Sequence, residues 1–398
     1  MNRLIILGNG FDLAHGLKTK YEDYIKNYWS KVTSSNHSDW FLSFENTGTN
    51  FPKLENLKDL LDFMTQGSGN TLAPVGNSPH YCFENRKYIN ISNRFFNKIN
   101  LRFSKVDWVD IEMEYYQSLK KILLDEIKQD IDSEAFEAEK LKLIRELNDN
   151  IKNIAIDFEE YLKKEVLKYI EYSKFREMSD LFLNETIGKI GLKQFFKEFP
   201  KNYVDQELKS FYEAKENEFE KFEQTLILNF NYTSTVRNYI KPVNSGSTRV
   251  INIHGAVESK RNPINLGFGD ERDRFYSQIE DYNQNEYLKY IKSFYYLNTE
   301  NYKELFDFIE GWPFQTQIMG HSCGLSDRTL LNAIFEHENC KSIKVFYHKF
   351  VNSKEDGEED NYSEIVKNIS RHFNKKTEMR SKIVNKTLSQ ELPQKSRV

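Results

Sequence analysis

The sequence predicts an α/β protein whose core is a parallel β-sheet, with a large and mainly helical insertion in that core. Short apolar segments near both ends of the 398-residue chain lead directly into glycine-rich or polar residues, as parallel strands do where they meet a helix. A long charged region with the periodicity of amphipathic helices separates the first such segment from the others. Aromatic residues make up 14% of the chain, enough for a large core.

The first predicted strand, residues 4–7, runs straight into Gly8-Asn9-Gly10 and a helical pattern. Four later segments of the same kind cover residues 225–229, 250–253, 316–319 and 342–347. Four of these five strand ends carry glycines or polar side chains. Because the carboxyl ends of parallel strands line the ligand crevice of an open α/β sheet, we expect the functional site at this edge.

The strands divide the chain into regions. Residues 1–30 and 223–385 are predicted to form one discontinuous core domain. Residues 31–222 form the predicted insertion, which is loop-rich to about residue 105 and helical from about residue 109. The polar residues 386–398 are predicted to be a flexible tail.

A further helix is predicted over residues 286–309, where five apolar residues share one helical stripe. We expect this stripe to pack against the core, although an aromatic platform for nucleic-acid bases has the same spacing. The residues of the stripe are Tyr287, Tyr290, Ile291, Phe294 and Tyr295.

Composition excludes several classes of protein. The 56 basic and 60 acidic side chains nearly cancel, so no overall basic charge indicates nucleic-acid binding, although local patches stay open. The first apolar run is too short for a signal peptide, and no run reaches the roughly 18 apolar residues of a membrane span. The three cysteines have neither disulfide nor zinc spacing. We therefore expect a cytoplasmic protein without a metal.

The turn Gly8-Asn9-Gly10 could bring backbone close to a pyrophosphate at the start of the following helix, with Gly16 allowing a third close approach. Two glycines after a strand also occur wherever a tight turn is needed. The spacing differs from the standard dinucleotide motif because five residues separate Gly10 from Gly16.

Beyond this turn, a series of motifs extends across about residues 1–350. The motifs are Leu-Ile-Ile-Leu-Gly-Asn-Gly-Phe-Asp-Leu-Ala-His-Gly-Leu (4–17), Trp108-Val109-Asp110-Ile111-Glu112, Asn229-Phe230-Asn231-Tyr232-Thr233, Ile253-His254-Gly255, and Gly320-His321-Ser322 with Gly324 and Ser326-Asp327. In this order they resemble the bacterial AbiH abortive-infection family, which in turn resembles the SIR2-like (sirtuin-related) group. Thr233 stands where the SIR2-like group has Asp, and no sirtuin-type zinc ribbon is present, which favours a hydrolase over a protein deacylase.

The resemblance implies a Rossmann-like (SIR2-like) core and an anti-phage effector that cleaves NAD⁺ to nicotinamide and ADP-ribose. Asn231 and His254 are then the catalytic residues, since an amide can hold a ribose hydroxyl or a water and an imidazole can take a proton at neutral pH. Asp12, which follows the glycine turn, could hydrogen-bond a ribose hydroxyl. The full expected NAD⁺-binding set is Gly8, Asn9, Gly10, Asp12, Gly16, Gly320, Ser322 and Asp327. We also expect a homo-oligomer or a partner defence protein, and we hypothesise activation by assembly or by a phage component.

Other interpretations remain open for the same residues. Asn231 could cap a helix that begins near Thr233, and His254 could be structural. The carboxylates of Asp110, Glu112 and Glu114 could gather a metal ion, but on a helix only the first and third share a face.

Three other functions also remain open. One is a nuclease or another nucleic-acid-directed toxin, and another is a nucleotide-sensing module without catalysis. The third is a serine hydrolase, because Gly320-His321-Ser322-Cys323-Gly324 fits the nucleophile-elbow pattern, with His348 or His372 as its histidine.

Overall fold

A computed structural model of the chain supplies the fold. It describes residues 1–45, 49–65, 73–74, 80–82, 88–103, 110–124, 133–183, 186–187, 189–213, 219–240, 248–350 and 359–395.

Six parallel strands form the central sheet, in the spatial order β3-β2-β1-β4-β5-β6. This is the strand order of a doubly wound α/β fold, in which the direction of winding reverses between β1 and β4. The predicted α/β class with a parallel sheet is therefore confirmed. The strands are β1 (Asn2–Leu7), β2 (Thr225–Asn229), β3 (Thr248–Asn252), β4 (Phe314–Met319), β5 (Cys340–Tyr347) and β6 (Gln390–Glu391).

The apolar run of β1 is explained by helices on both faces of the sheet. Leu4 and Ile6 point to one face, where they pack with the helices Asn301–Gly311, Arg328–Phe335 and Tyr362–His372. Ile5 and Leu7 point to the other face and pack with the helices Asn9–Ala14 and Arg176–Phe182. Because both faces are covered, the strand is continuously apolar and does not alternate with polar residues.

The remaining helices belong to the insertion and to the connections of the core. The α-helices outside those named above are Tyr21–Lys31, Leu57–Thr65, Arg94–Phe103, Ile111–Leu124, Ser133–Tyr161, Leu167–Ile170, Lys189–Phe196, Lys201–Tyr203, Lys209–Glu213, Tyr276–Asp281, Lys292–Tyr296 and Lys376–Lys382. The 3₁₀ and π turns are Leu162–Val166, Glu171–Ser173, Val204–Leu208, Thr235–Tyr239, Asn285–Tyr287, Leu325–Asp327 and Lys386–Leu388.

A hydrophobic cluster of the insertion is built mainly from aromatic and aliphatic residues of the helices between residues 21 and 170, and residues of the core domain such as Leu266, Phe268 and Tyr287 pack into it. The insertion also contains strands that the loop-rich pattern did not predict. Leu42–Glu45, Ala73–Pro74, His80–Cys82 and Tyr88–Ile91 form a four-stranded antiparallel sheet. Thr186–Ile187 and Phe219–Glu220 pair as a small ribbon.

The end of the chain corrects one expectation. Residues 386–398 were expected to be a flexible tail, but residues 386–395 instead extend the core. Gln390–Glu391 pairs with β5, and Leu392 is buried with its backbone N–H 2.8 Å from Tyr347 O. Lys395 N donates to Ala14 O at 2.8 Å. The few apolar residues of this segment are enough to seal the sheet edge because β5 offers it a free row of backbone groups.

The continuous helix predicted over residues 286–309 is wrong in its middle. The chain there forms Asn285–Tyr287, Lys292–Tyr296 and Asn301–Gly311 as separate helical segments. Between the first two, Phe268 N donates to Tyr290 O and Lys292 N donates to Phe268 O, both at 3.0 Å. This tertiary pairing takes backbone groups that a helix would need. Tyr287 and Ile291 are buried as expected, whereas Phe294 is 43% exposed.

Candidate active site

The glycine turn after β1 lies directly against the turn after β4, where the winding of the sheet reverses. Gly10 N donates to Gly320 O at 2.8 Å. A Cβ on Gly8 would come within 2.5 Å of His321 Cα, and one on Gly10 within 2.8 Å of Gly320 Cα. Glycine is therefore required here for contact between the two turns, independently of any ligand.

The other residues of the first motif have separate roles. Asn9 is exposed, and its Oδ1 accepts a hydrogen bond from Thr19 Oγ1 at 2.5 Å. Gly16 ends the first helix with φ +76°, and its N–H donates to Leu13 O at 2.9 Å. This Gly16 geometry is that of a helix C-terminus, so it explains the glycine without a third approach to a pyrophosphate.

Asp12 is buried beneath the glycine turn. Its Oδ2 accepts a hydrogen bond from Thr233 Oγ1 at 2.6 Å, while its Oδ1 is buried with no hydrogen-bond partner among the described residues. Burial raises the pKa of Asp12 to about 6, against the opposing effect of hydrogen bonds from Thr233 and Thr235. Thr233 stands where the SIR2-like motif has Asp, but the Asp12 carboxylate lies directly beside it.

Asn231 links β2 to the glycine turn. Its Nδ2 donates to Gly8 O at 3.1 Å, and its backbone N–H donates to Asn229 Oδ1 at 3.1 Å. The 3₁₀ turn Thr235–Tyr239 begins after Ser234 and has no side-chain cap. Asn231 therefore does not cap a helix, and its buried amide is committed to the strand-end turns.

His254 follows β3 and is held by a carboxylate from the far side of the switch point. Its Nε2 lies 3.0 Å from Asp327 Oδ1 and 3.3 Å from Tyr296 Oη. Burial lowers the pKa of His254, the ammonium of Lys292 lowers it further, and Asp327 opposes both. The imidazole is thus neutral at pH 7, and the carboxylate favours the tautomer with its proton on Nε2.

Asp327 is the centre of a buried charge cluster that the motifs alone did not reveal. Lys292 Nζ lies 2.8 Å from Asp327 Oδ1 and 2.7 Å from Glu112 Oε2, and the Lys292 side chain is fully buried. Burial alone would raise the pKa of Asp327, but Lys292 and then His254 hold it well below its usual value. Burial lowers the pKa of Lys292, but the carboxylates of Asp327 and Glu112 outweigh this effect and raise it to about 12.

His321 completes the contact between the two sides of the switch point. Its Nε2 lies 3.7 Å from Asp327 Oδ2, and its Nδ1 accepts the backbone N–H of Cys323 at 3.0 Å. The Phe230 ring lies edge-on to both His254 and His321, with centroid distances of 4.8 and 4.3 Å. Burial lowers the pKa of His321 to about 4, so it too is neutral at pH 7.

The carboxylates of Asp110, Glu112 and Glu114 have different partners and do not form one site. Asp110 Oδ1 accepts the backbone N–H of Met113 at the start of the helix Ile111–Leu124, and Glu114 pairs with Lys98 and Arg102. Glu112 alone reaches the buried cluster. Within the described residues no group of three or more His, Cys, Asp or Glu side chains could hold a metal ion. Trp108 and Val109 lie outside the described residues.

The geometry does not assemble a serine nucleophile. Ser322 is exposed, and the residues with positive φ in this turn are Gly320 (φ +71°) and Cys323 (φ +54°), not Ser322. His372 Nε2 lies 2.8 Å from Cys323 O. In the part of the chain that the structure describes, Ser322 Oγ has no hydrogen bond to a histidine, so the nucleophile-elbow interpretation has no support.

The fold and site together define a doubly wound α/β protein with a buried Asn, His and Asp constellation at its switch point. The sequence matches the model of the family described as bacteriophage abortive infection AbiH over residues 4–349. The chain therefore belongs to the AbiH family, and this membership indicates a role in abortive infection against phage. No curated protein and no solved structure matches the chain. No helix among the described residues is long and apolar enough to cross a membrane.

Proposed function

We propose that this protein is an anti-phage effector that hydrolyses NAD⁺ to nicotinamide and ADP-ribose. One observation carries the proposal: Asn231, His254 and Asp327 follow β2, β3 and β4, on both sides of β1, and contacts through Gly8 and His321 join them at the glycine turn. Ligands of doubly wound sheets bind at this position, outside the carboxyl ends of the strands. The SIR2-like resemblance of the same motifs supplies the identity of the nucleotide.

The network suits cleavage of an N-glycosidic bond. The bond between C1′ of the ribose and the nicotinamide nitrogen breaks, and its electron pair leaves with nicotinamide. A water oxygen forms the new bond to C1′, and His254 Nδ1 takes the proton that the water loses. Asp327, at 3.0 Å, orients the imidazole and stabilises the imidazolium that forms.

Two buried polar groups suit the ribose. Asp12 Oδ1, which has no hydrogen-bond partner in the described part of the chain, can accept a hydrogen bond from a ribose hydroxyl. The Asn231 amide, now held by Gly8 O, can exchange that bond for a hydroxyl or for the attacking water. We keep both residues in the proposed site, together with Gly8, Gly10, Gly320 and Asp327.

The site is closed, because Asn231, His254 and Asp327 are each at most 7% exposed and are bonded to one another or to backbone. Opening by self-assembly, by a partner protein or by a phage component would therefore be part of activation, which would protect the host until infection. Thr233, in place of the Asp of the SIR2-like motif, favours the second candidate, a module that binds a nucleotide without cleaving it.

One assay separates the candidates. Purified protein, with and without lysate from phage-infected cells, is incubated with NAD⁺, and nicotinamide is measured by chromatography. We expect His254→Ala and Asn231→Ala to lower the rate by on the order of 100-fold or more. His337→Ala, at the opposite end of the sheet, is the matched control and should retain activity.

The outcomes are distinct. Intact NAD⁺ that nevertheless binds the wild type would favour the sensor. Intact NAD⁺ without binding under either condition would refute the proposed nucleotide site. Cleavage that persists in both site variants would refute the residue assignment.

A further inference from the structure

The insertion reaches into the core at one buried position. Glu112 lies in the first turn of the helix Ile111–Leu124, and its Oε2 is 2.7 Å from Lys292 Nζ. Its Oε1 also lies 3.4 Å from the backbone N–H of Gly267. A buried ammonium that touches one insertion carboxylate and one site carboxylate joins the two parts of the molecule.

The backbone of Lys292 is fixed by a glycine-rich segment of the core. The backbone of Phe268 forms hydrogen bonds with Tyr290 O and Lys292 N, on either side of Ile291. The next residue, Gly269, packs closely, because a Cβ there would lie 3.4 Å from Lys292 Cβ and 2.9 Å from Ser326 O. Phe268 also stacks on Tyr116 of the insertion helix, with ring centroids 3.9 Å apart and planes within 10°. The same segment therefore holds Lys292 and the helix that carries Glu112.

The cluster is also constrained by charge. Lys292 Nζ and His254 Nε2 both contact Asp327 Oδ1, at 2.8 and 3.0 Å. Burial raises the pKa of Glu112, and the ammonium of Lys292 opposes this rise and favours the carboxylate. The titratable groups around Lys292 are Asp110, Glu112, His254, Tyr296, His321 and Asp327.

We infer that Lys292, held in place by Glu112 of the insertion, is a positioning residue that fixes the Asp327 carboxylate against His254, so that the insertion is part of the site. Lys292 keeps Asp327 ionised and aimed at Nε2, and its own charge keeps the imidazole neutral. This inference rests on the proposed role of His254 as proton acceptor, but its test observes the histidine directly.

The test is a titration of His254 by ¹⁵N NMR in full-length protein with labelled histidine, with the signal assigned from His254→Gln. The wild type should show the Nε2–H tautomer and a pKa below the usual 6.5. Lys292→Met combined with Glu112→Gln removes the ammonium without leaving Glu112 as an unpaired buried carboxylate. In this double variant the His254 pKa should rise by about 1–3 units, because the Lys292 charge no longer opposes the imidazolium while Asp327 still favours it.

A second buried ion pair gives the control. Lys344 Nζ lies 2.7 Å from Glu198 Oε1, and both side chains are 9% exposed. Lys344→Met with Glu198→Gln removes a buried pair of the same length without contact to His254, and it should leave the His254 pKa unchanged. A folded Lys292/Glu112 variant whose His254 titrates as in the wild type would overturn the inference, and so would an equal shift in the control.

If the double variant does not fold, Glu112→Gln alone still tests the support of Lys292. It should change the kcat of NAD⁺ cleavage more than the KM, whereas a change in stability alone would contradict a positioning role. An NMR shift without NAD⁺ cleavage in any variant would sustain the inference and refute the proposed hydrolysis.

Discussion

At the scale of the residue, Asp12 illustrates a conflict between stability and binding. Its carboxyl group is buried, one oxygen has no partner among the described residues, and its pKa rises to about 6. A folded-state pKa above the unfolded value of about 3.9 means that the native state holds the proton more tightly. Stability therefore falls as the pH rises from about 4 to above 6, where ionisation of the buried group is complete.

We predict that Asp12→Asn stabilises the protein at neutral pH by up to about 3 kcal/mol, since a neutral amide can still accept the Thr233 hydrogen bond without a buried charge. The gain should nearly vanish at pH 4, which urea denaturation at pH 4, 6 and 8 would show. NAD⁺ binding should weaken in the same variant. A gain that is equal at all three pH values would contradict the assigned burial of charge.

The residues of the site differ in how far the sequence could predict them. His254 and Asp327 follow predicted strands, so their shared sheet edge could be expected, although their contact could not. Lys292 has no motif, and its partners are distant in sequence, so only the folded chain reveals it. The spacing of Glu112 with Asp110 and Glu114 suggests a metal site. In the folded chain Glu112 instead contacts Lys292, and the other two carboxylates have other partners.

At the scale of the element, the contact between the turns after β1 and β4 is the most sensitive to added volume. We predict that Gly10→Ala destabilises the protein by about 1–3 kcal/mol, because its Cβ would lie 2.8 Å from Gly320 Cα and backbone must move. Gly311→Ala is the control, since nothing lies within 4 Å of its Cβ. Chemical denaturation of both variants tests this, and equal stability would contradict the close contact of the turns.

The strands were predictable because strands buried on both faces leave short apolar runs that end in glycine or polar residues. β1 and β4 begin two residues before their predicted starts, where Asn2 and Gln315 are polar yet buried in the sheet. The helix predicted over residues 286–309 is interrupted because the partner of Ile291 is Phe268, a pairing that local periodicity does not encode. β6 was missed because two polar residues carry no strand pattern.

At the scale of the whole molecule, the last strand ties the end of the chain to its beginning. We predict that truncation after residue 385 lowers the free energy of unfolding by about 2 kcal/mol or more, since Leu392 is only 2% exposed and Lys395 N bonds to Ala14 O. Truncation after residue 395 is the control and should have little effect. Thermal unfolding distinguishes the two truncated proteins, and equal melting temperatures would support the expectation that residues 386–398 are a flexible tail.

The insertion and the core also act as one unit in the site, because Glu112 and Lys292 come from different parts of the molecule and are both buried. The AbiH family role in abortive infection and the proposed chemistry then make one joint claim: infection opens a closed NAD⁺ hydrolase.

That claim is tested most directly by the NAD⁺ concentration inside phage-infected bacteria that express the protein, followed from infection to lysis. The account predicts a fall in NAD⁺ before lysis with the wild type, together with protection of the culture, and neither effect with His254→Ala expressed at the same level. Protection by the wild type while NAD⁺ stays constant would contradict the account.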